Sequence, residues 1–148
     1  MYTHTQAGWL VRIATTPILL VALYIASVRG GDAWLAIPTL GFYGLIVVLF
    51  GSLTVTVDDT HVRAAFGIGW VHKKFALADI EAVEPVRNPW YYFWGIRYYG
   101  RGMLYNISGL DAVRIQLAEG REARIGTDEP TALAAAIQAA VPGQAPTA

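Results

Sequence analysis

The chain has no cysteine, so it forms no disulfide, carries no thiolate nucleophile and has no cysteine-based metal site. Charge is scarce as well: charged residues fill 15% of the 148 positions, against about 25% in an average soluble domain. The formal net charge of zero excludes a strongly basic nucleic-acid binder as the default reading. Catalytic signatures are also missing. His4, His61 and His72 have no H-x-x-x-H or H-E-x-x-H partner, so no metal site is indicated. No G-x-x-x-x-G-K-[ST] loop occurs, and Gly67-Ile68-Gly69 is too short for a dinucleotide fingerprint. Ser108 lacks the glycine two positions earlier that a nucleophile elbow needs. Asp58 with Asp59, and Glu81 with Glu84, read as solvent-facing turn and strand residues. The expectation is a non-enzymatic protein that needs no cofactor.

What charge there is falls unevenly. Residues 1–57 hold only Arg12, Arg29 and Asp32, and the other nineteen charges lie in 58–148. Two apolar runs, about 9–28 (free of charge from Ile13 onward) and 33–52 (uncharged throughout), each match the roughly 20 helical residues that cross a bilayer core. Arg29-Gly30-Gly31-Asp32 between them predicts a tight turn and an antiparallel transmembrane hairpin over residues 1–52. A cleaved signal peptide followed by one span is the alternative, disfavoured by a basic region that holds only His4 and Arg12. Pro17 and Pro38 lie within the runs, which membrane helices tolerate. Arg12 at the N-terminal end of the hairpin and Arg63, Lys73, Lys74 and Arg87 after it place both termini in the cytoplasm by the positive-inside rule. Ala22 and Ala26, with Gly44 and Gly51, mark a small-residue packing face, either between the two helices or toward an oligomeric partner. No Asp, Glu, Lys or Arg sits mid-span, so the hairpin reads as an anchor rather than an ion path.

Past Gly51 the hydrophobic period changes. Alternation predicts strands at 53–57, 61–66, 70–77, 79–86, 105–108, 112–117 and 121–125, with 88–102 irregular and a hairpin turn at Ala118-Glu119-Gly120. Thr127-Asp128-Glu129-Pro130 opens a helix that runs to Val141, and residues 142–148 are expected to be a disordered tail. Seven short strands and one C-terminal helix over 53–141 fit an α+β membrane protein: a two-helix hairpin, then a seven-stranded antiparallel, partly open barrel capped by the helix. An unrelated seven-stranded sandwich is the other reading.

Three motifs in order, Trp94-Gly95-Ile96-Arg97, Tyr105-Asn106-Ile107-Ser108-Gly109 and Ile125-Gly126-Thr127-Asp128-Glu129-Pro130 leading to Leu133 and Ile137, carry a resemblance over roughly residues 50–141. In these the chain resembles bacterial membrane proteins that follow a transmembrane hairpin with a pleckstrin-homology-like (PH-like) domain. The resemblance implies a fold, a multi-pass topology and a location in the bacterial inner (cytoplasmic) membrane. It implies no activity, because that fold serves many tasks.

The segment 90–105 concentrates eight of the chain's eighteen aromatics, among them Trp90, Tyr91, Tyr92, Trp94, Tyr98 and Tyr99. Between Glu84 and Asp111 there is no acidic residue, while Arg87, Arg97 and Arg101 are present. Tryptophan and tyrosine favour the headgroup layer, and arginine is drawn to anionic lipid. These nine residues are the expected contact with membrane lipids or with a membrane-protein partner, Trp94 pointing inward with Ile96 and Tyr91, Tyr92, Tyr98 and Tyr99 outward. The function expected is an interaction or scaffolding module that binds such a partner or forms a homo-oligomer. Lipid or small-ligand sensing by the PH-like domain is the alternative.

Overall fold

The computed structural model describes residues 1–28 and 33–142. The expected turn at 29–32 and tail residues 143–148 lie outside the described residues. The protein is α+β, with one long apolar helix near the N-terminus and a sheet-rich C-terminal part. Strand β1 (Tyr2–Ala7) comes first. Helix α1 (Trp9–Val28) follows, long and apolar enough to cross a membrane, with none of its residues buried. Helix α2 (Ala33–Phe50) is uncharged, whereas α1 carries Arg12 in its first turn. Pro17 and Pro38 lie inside these helices. The two helices pack together, the hydroxyls of Thr16 and Tyr43 3.0 Å apart.

The strands that follow are β2 (Ser52–Val57), β3 (His61–Phe66), β4 (Val71–Ala76), β5 (Ile80–Arg87), β6 (Gly95–Tyr98), β7 (Gly102–Asn106), β8 (Asp111–Leu117) and β9 (Arg121–Gly126), and helix α3 spans Pro130–Ala140. They form two sheets, ordered β1-β2-β3-β4 and β5-β8-β9-β7-β6. Two expectations are corrected. There are nine strands among the described residues rather than seven, because Tyr2–Ala7 and Gly95–Tyr98 also pair. The arrangement is not wholly antiparallel: β7 and β9 run parallel from Gly102↔Glu122 to Tyr105↔Ile125. The sheets remain separate and do not close on one another.

Alternation builds the core. Leu53, Val55 and Val57 of β2 and Val62, Ala64 and Phe66 of β3 bury every second side chain. Val113 and Ile115 of β8 and Ile125 of β9 face them across the interior. Phe75 meets Tyr105 edge-to-face at 5.9 Å and joins the two sheets. Leu133, Ala134 and Ile137 of α3 pack on this core, and Gln138 Nε2 donates to the Val83 carbonyl at 2.9 Å. Pro85 does not end β5. That strand lies at a sheet edge, where a residue without an N–H costs no ladder bond, and it continues to Arg87.

Candidate functional site

The base of the helix pair is where sheet and helices meet. The β1–β2 ladder runs from Tyr2↔Val57 to Ala7↔Ser52, and the Gly8 N–H then donates to the Gly51 carbonyl at 2.9 Å. The next residues, Trp9 and Phe50, already belong to the helices. The loop 107–109 braces this junction. Gln6 Nε2 donates to the Ser108 carbonyl and Ser108 Oγ to the Ala7 carbonyl, both at 3.1 Å. A side chain at Gly8 would stand 2.7 Å from the Phe50 carbonyl and 2.9 Å from Ile107, so the contact demands glycine. At the β3–β4 turn, the Gly67 N–H donates to the Ser52 carbonyl at 2.8 Å. Its φ is +51°, and a Cβ there would run into the Val48 carbonyl.

Beside this junction stands the aromatic segment. The Arg124 guanidinium lies 5.6 Å from the Tyr92 ring and 4.7 Å from the Tyr99 ring. Arg124 also reaches Asn88 Oδ1 at 3.0 Å and Glu122 Oε1 at 3.3 Å, and the Tyr99 hydroxyl donates to the same carboxylate oxygen at 2.6 Å. Burial, and then the bond to Glu122, push the Tyr99 phenol well above its ordinary value. Burial alone would raise the Glu122 carboxyl, but the Tyr99 hydroxyl and Arg124 outweigh it and hold the group below the usual carboxylate range. Away from Arg124, the side chains of Trp90, Tyr91, Phe93, Trp94 and Tyr98 are exposed. Arg97 sits 5.6 Å over the Phe93 ring and donates to the Tyr92 carbonyl at 3.3 Å. Trp94 Nε1 donates to the Gly109 carbonyl at 3.0 Å. Trp94 and Ile96 face Val11, Ile46 and Phe50 of the helices across a cavity of about 400 Å³.

The nine expected contact residues therefore divide. Trp90, Tyr91, Trp94, Arg97 and Tyr98 are exposed, as are Arg87 and Arg101 at either end of the segment, and Tyr98 and Arg101 stand together at a cleft with Lys73. Tyr92 and Tyr99 are half-buried on Arg124, and Trp94 and Ile96 are exposed. The expected inward and outward sets are thus partly exchanged, because an arginine more than twenty residues along the chain supplies the polar stacking partner. Among the helix-packing residues, Ala22 lines the α1–α2 groove with Thr39 and Tyr43. Ala26 is half-buried. Gly44 has open space where a Cβ would lie, and Gly51 serves the sheet junction.

Other residues have structural tasks. Asp58 Oδ1 accepts from the backbone N–H groups of Thr60 and His61 at 2.8 and 2.7 Å, which lowers its carboxyl pKa and makes it a turn residue. Glu84 pairs with Arg114. Sequence reasoning missed the role of His4: it lies in β1 with Nε2 2.6 Å from Asp128 Oδ1, a pairing across 124 positions that no local pattern reveals. It also passed over Ile68 and Trp70, although an exposed isoleucine and tryptophan around a glycine turn were legible. Comparison with family models, curated proteins and solved structures finds no match for this chain.

Proposed function

We propose that this chain is a non-catalytic interaction or scaffolding module, anchored as a transmembrane hairpin in the bacterial cytoplasmic membrane with both termini inside. In this reading the sheet part is a PH-like domain to which β1 and β6 are additions. Supporting that view, α3 closes the order of elements and packs on β5 and β8. The observation that carries the reading is the junction: β1 enters α1 and α2 leaves into β2, with β1 and β2 paired up to the first helical residues. This holds the sheets at one end of an apolar helix pair and stands the aromatic segment beside it. A surface with exposed Trp90, Tyr91 and Tyr98 and the cations Arg87, Arg97 and Arg101 suits a membrane-protein partner, or a second copy, at a lipid surface. Purification of the full chain in mild detergent, with native mass spectrometry and crosslinking from Tyr91 or Tyr98, tests it. A reproducible protein partner or homo-oligomer crosslinked through these residues supports the reading, and a bare monomer overturns it.

A second reading is favoured by a cleft of about 390 Å³ where β4 and β7 face one another without pairing. Lys73, Arg101 and Arg121, against the single carboxylate of Glu122, line it around an apolar floor that includes Phe75, Met103 and Leu117. Cations above an apolar floor suit a small amphipathic anion, so a lipid or small ligand retained in the detergent preparation and lost on Lys73→Glu would favour a sensing role.

A further inference from the structure

Two segments far apart in sequence rise to the level of the last turn of α2. At the β3–β4 turn, Gly67 packs on the carbonyls of Val48 and Leu49. At 1.5 Å per residue, Val48 stands about 3 Å inside the helix from Phe50. On the segment leading into β6, Trp94 and Ile96 line a cavity together with Ile46, about 6 Å inside by the same measure. Both segments thus stand alongside helix that is apolar and uncharged rather than below it. Their side chains match that position. Ile68 is 58% exposed and Trp70 76%, the most exposed of the five tryptophans, and Phe93 and Trp94 are exposed on the other segment.

The charge distribution points the same way. The turn 67–70 and the strand ends beside it hold no Asp or Glu, and 88–110 holds none. The carboxylates of the first sheet are at its far end, where Asp58 and Asp59 form the β2–β3 turn and the Leu77 N–H bonds to the Thr60 carbonyl. Seating the turn 67–70 and the Phe93–Ile96 segment in lipid therefore forces no carboxylate of either segment out of water, a step that is costly for an unpaired charge, while Asp111 at the start of β8 is exposed. Exposed cations at this level include Arg12 on the first turn of α1 and Arg97 over the Phe93 ring, and the long side chain of each can reach the headgroups.

We infer that Ile68 and Trp70, together with the Phe93–Ile96 segment, form a two-part apolar footing that seats the sheet domain in the headgroup layer of the bilayer. The domain is then held at three places, the helices and two loops, and rests at a fixed height and rotation instead of hanging below the membrane. This inference rests on the membrane-anchored reading, and the test separates the two. Because the chain has no cysteine, single thiols can be placed by Ile68→Cys, Ile18→Cys in α1 and Asp59→Cys at the far turn. Each leaves Trp70, Trp94 and the junction glycines in place. Each full-length variant is labelled with bimane, reconstituted into lipid nanodiscs and quenched in turn by nitroxide lipids and by aqueous iodide. The expected result is several-fold stronger nitroxide quenching and weaker iodide quenching at position 68 than at position 59, with position 18 quenched by the deeper nitroxides. If position 68 behaves like position 59 while position 18 is quenched, the footing is wrong and the anchor stands. If position 18 is also unquenched, the membrane-anchored reading falls with it.

Discussion

The Gly8 amide and the Gly51 carbonyl meet at 2.9 Å, forty-three positions apart in the chain, and close the β1–β2 ladder where two helices begin. In effect β1 and β2 are a β-hairpin whose loop has been replaced by a pair of apolar helices. The pairing of Ala7 with Ser52 is ordinary antiparallel register, so the sheet part needs the N-terminal strand and does not need the helices to define it.

It follows that replacing residues 8–51 with a two-residue Asn-Gly turn should yield a folded, water-soluble domain. A chain truncated to begin at Leu53 should not, because it strips β1 from β2 and bares an apolar strand edge. Size-exclusion chromatography and amide NMR dispersion would check both: a monomer with dispersed signals for the first, aggregation or collapsed signals for the second.

The soluble variant then allows the aromatic face to be weighed. Each arginine near an anionic surface contributes about 1 kcal/mol, so reversing Arg87, Arg97 and Arg101 to glutamate should weaken binding to anionic vesicles by on the order of 100-fold or more. Vesicle sedimentation measures this, and unchanged binding would mean that the three arginines face away from lipid.

Gly67→Ala should be among the most damaging single changes. The residue has φ +51° and its added methyl would strike the Val48 carbonyl, so loss of about 3 kcal/mol or more is expected. Gly120→Ala is the matched control. Its φ is +71°, but nothing lies within 4 Å of the added atom, so only the conformational cost of about 1–2 kcal/mol applies. Thermal unfolding of both in detergent should separate them.

Arg124→Met removes the stacking partner of Tyr92 and Tyr99 and leaves Glu122, whose side chain is 10% exposed, without its cation. Breaking a buried pair from one side costs about 3–5 kcal/mol. The segment 88–101 should also loosen, seen as faster amide exchange there than at β2 or β3.

The same cluster sets a pH window with two edges. The Tyr99 phenol is raised in the folded state, so its contribution is complete below the ordinary phenol pKa of about 10 and is lost as pH rises above it. The Glu122 carboxyl is lowered, so its contribution is complete above the ordinary value of about 4.3 and is lost as pH falls below it. Tyr99→Phe should flatten the alkaline edge of the urea-unfolding midpoint against pH, and Glu122→Gln the acid edge.

How much of this could be read from the chain depended on whether local pattern or a distant partner decides. Strands β2, β3, β8 and β9 alternate in burial because one face meets the core, and alternation is visible in the sequence. The turn at Ala118–Gly120 and the helix opening at Pro130 were visible for similar local reasons. Strand β1 buries only Gln6, and its partner lies beyond two helices, so its residues show no hydrophobic period. Strand β6 is four residues long with none buried, so no alternation marks it. The parallel β7–β9 pairing is invisible because periodicity records which face is buried and not which way a neighbour runs. In the aromatic segment the composition was legible, while the orientation of Tyr92 and Tyr99 waited on Arg124.

The unbroken passage from β1 and β2 into the helices makes the sheet a lever arm. Six residues at about 3.3 Å each carry β2 roughly 20 Å from the helix base to the Asp58 turn. A 10° change in helix tilt, from a thicker bilayer or a neighbour's pressure, would sweep that far turn through about 3–4 Å over such an arm. In the proposed membrane anchor, tilt of the helices would thus become displacement of the Asp58 turn.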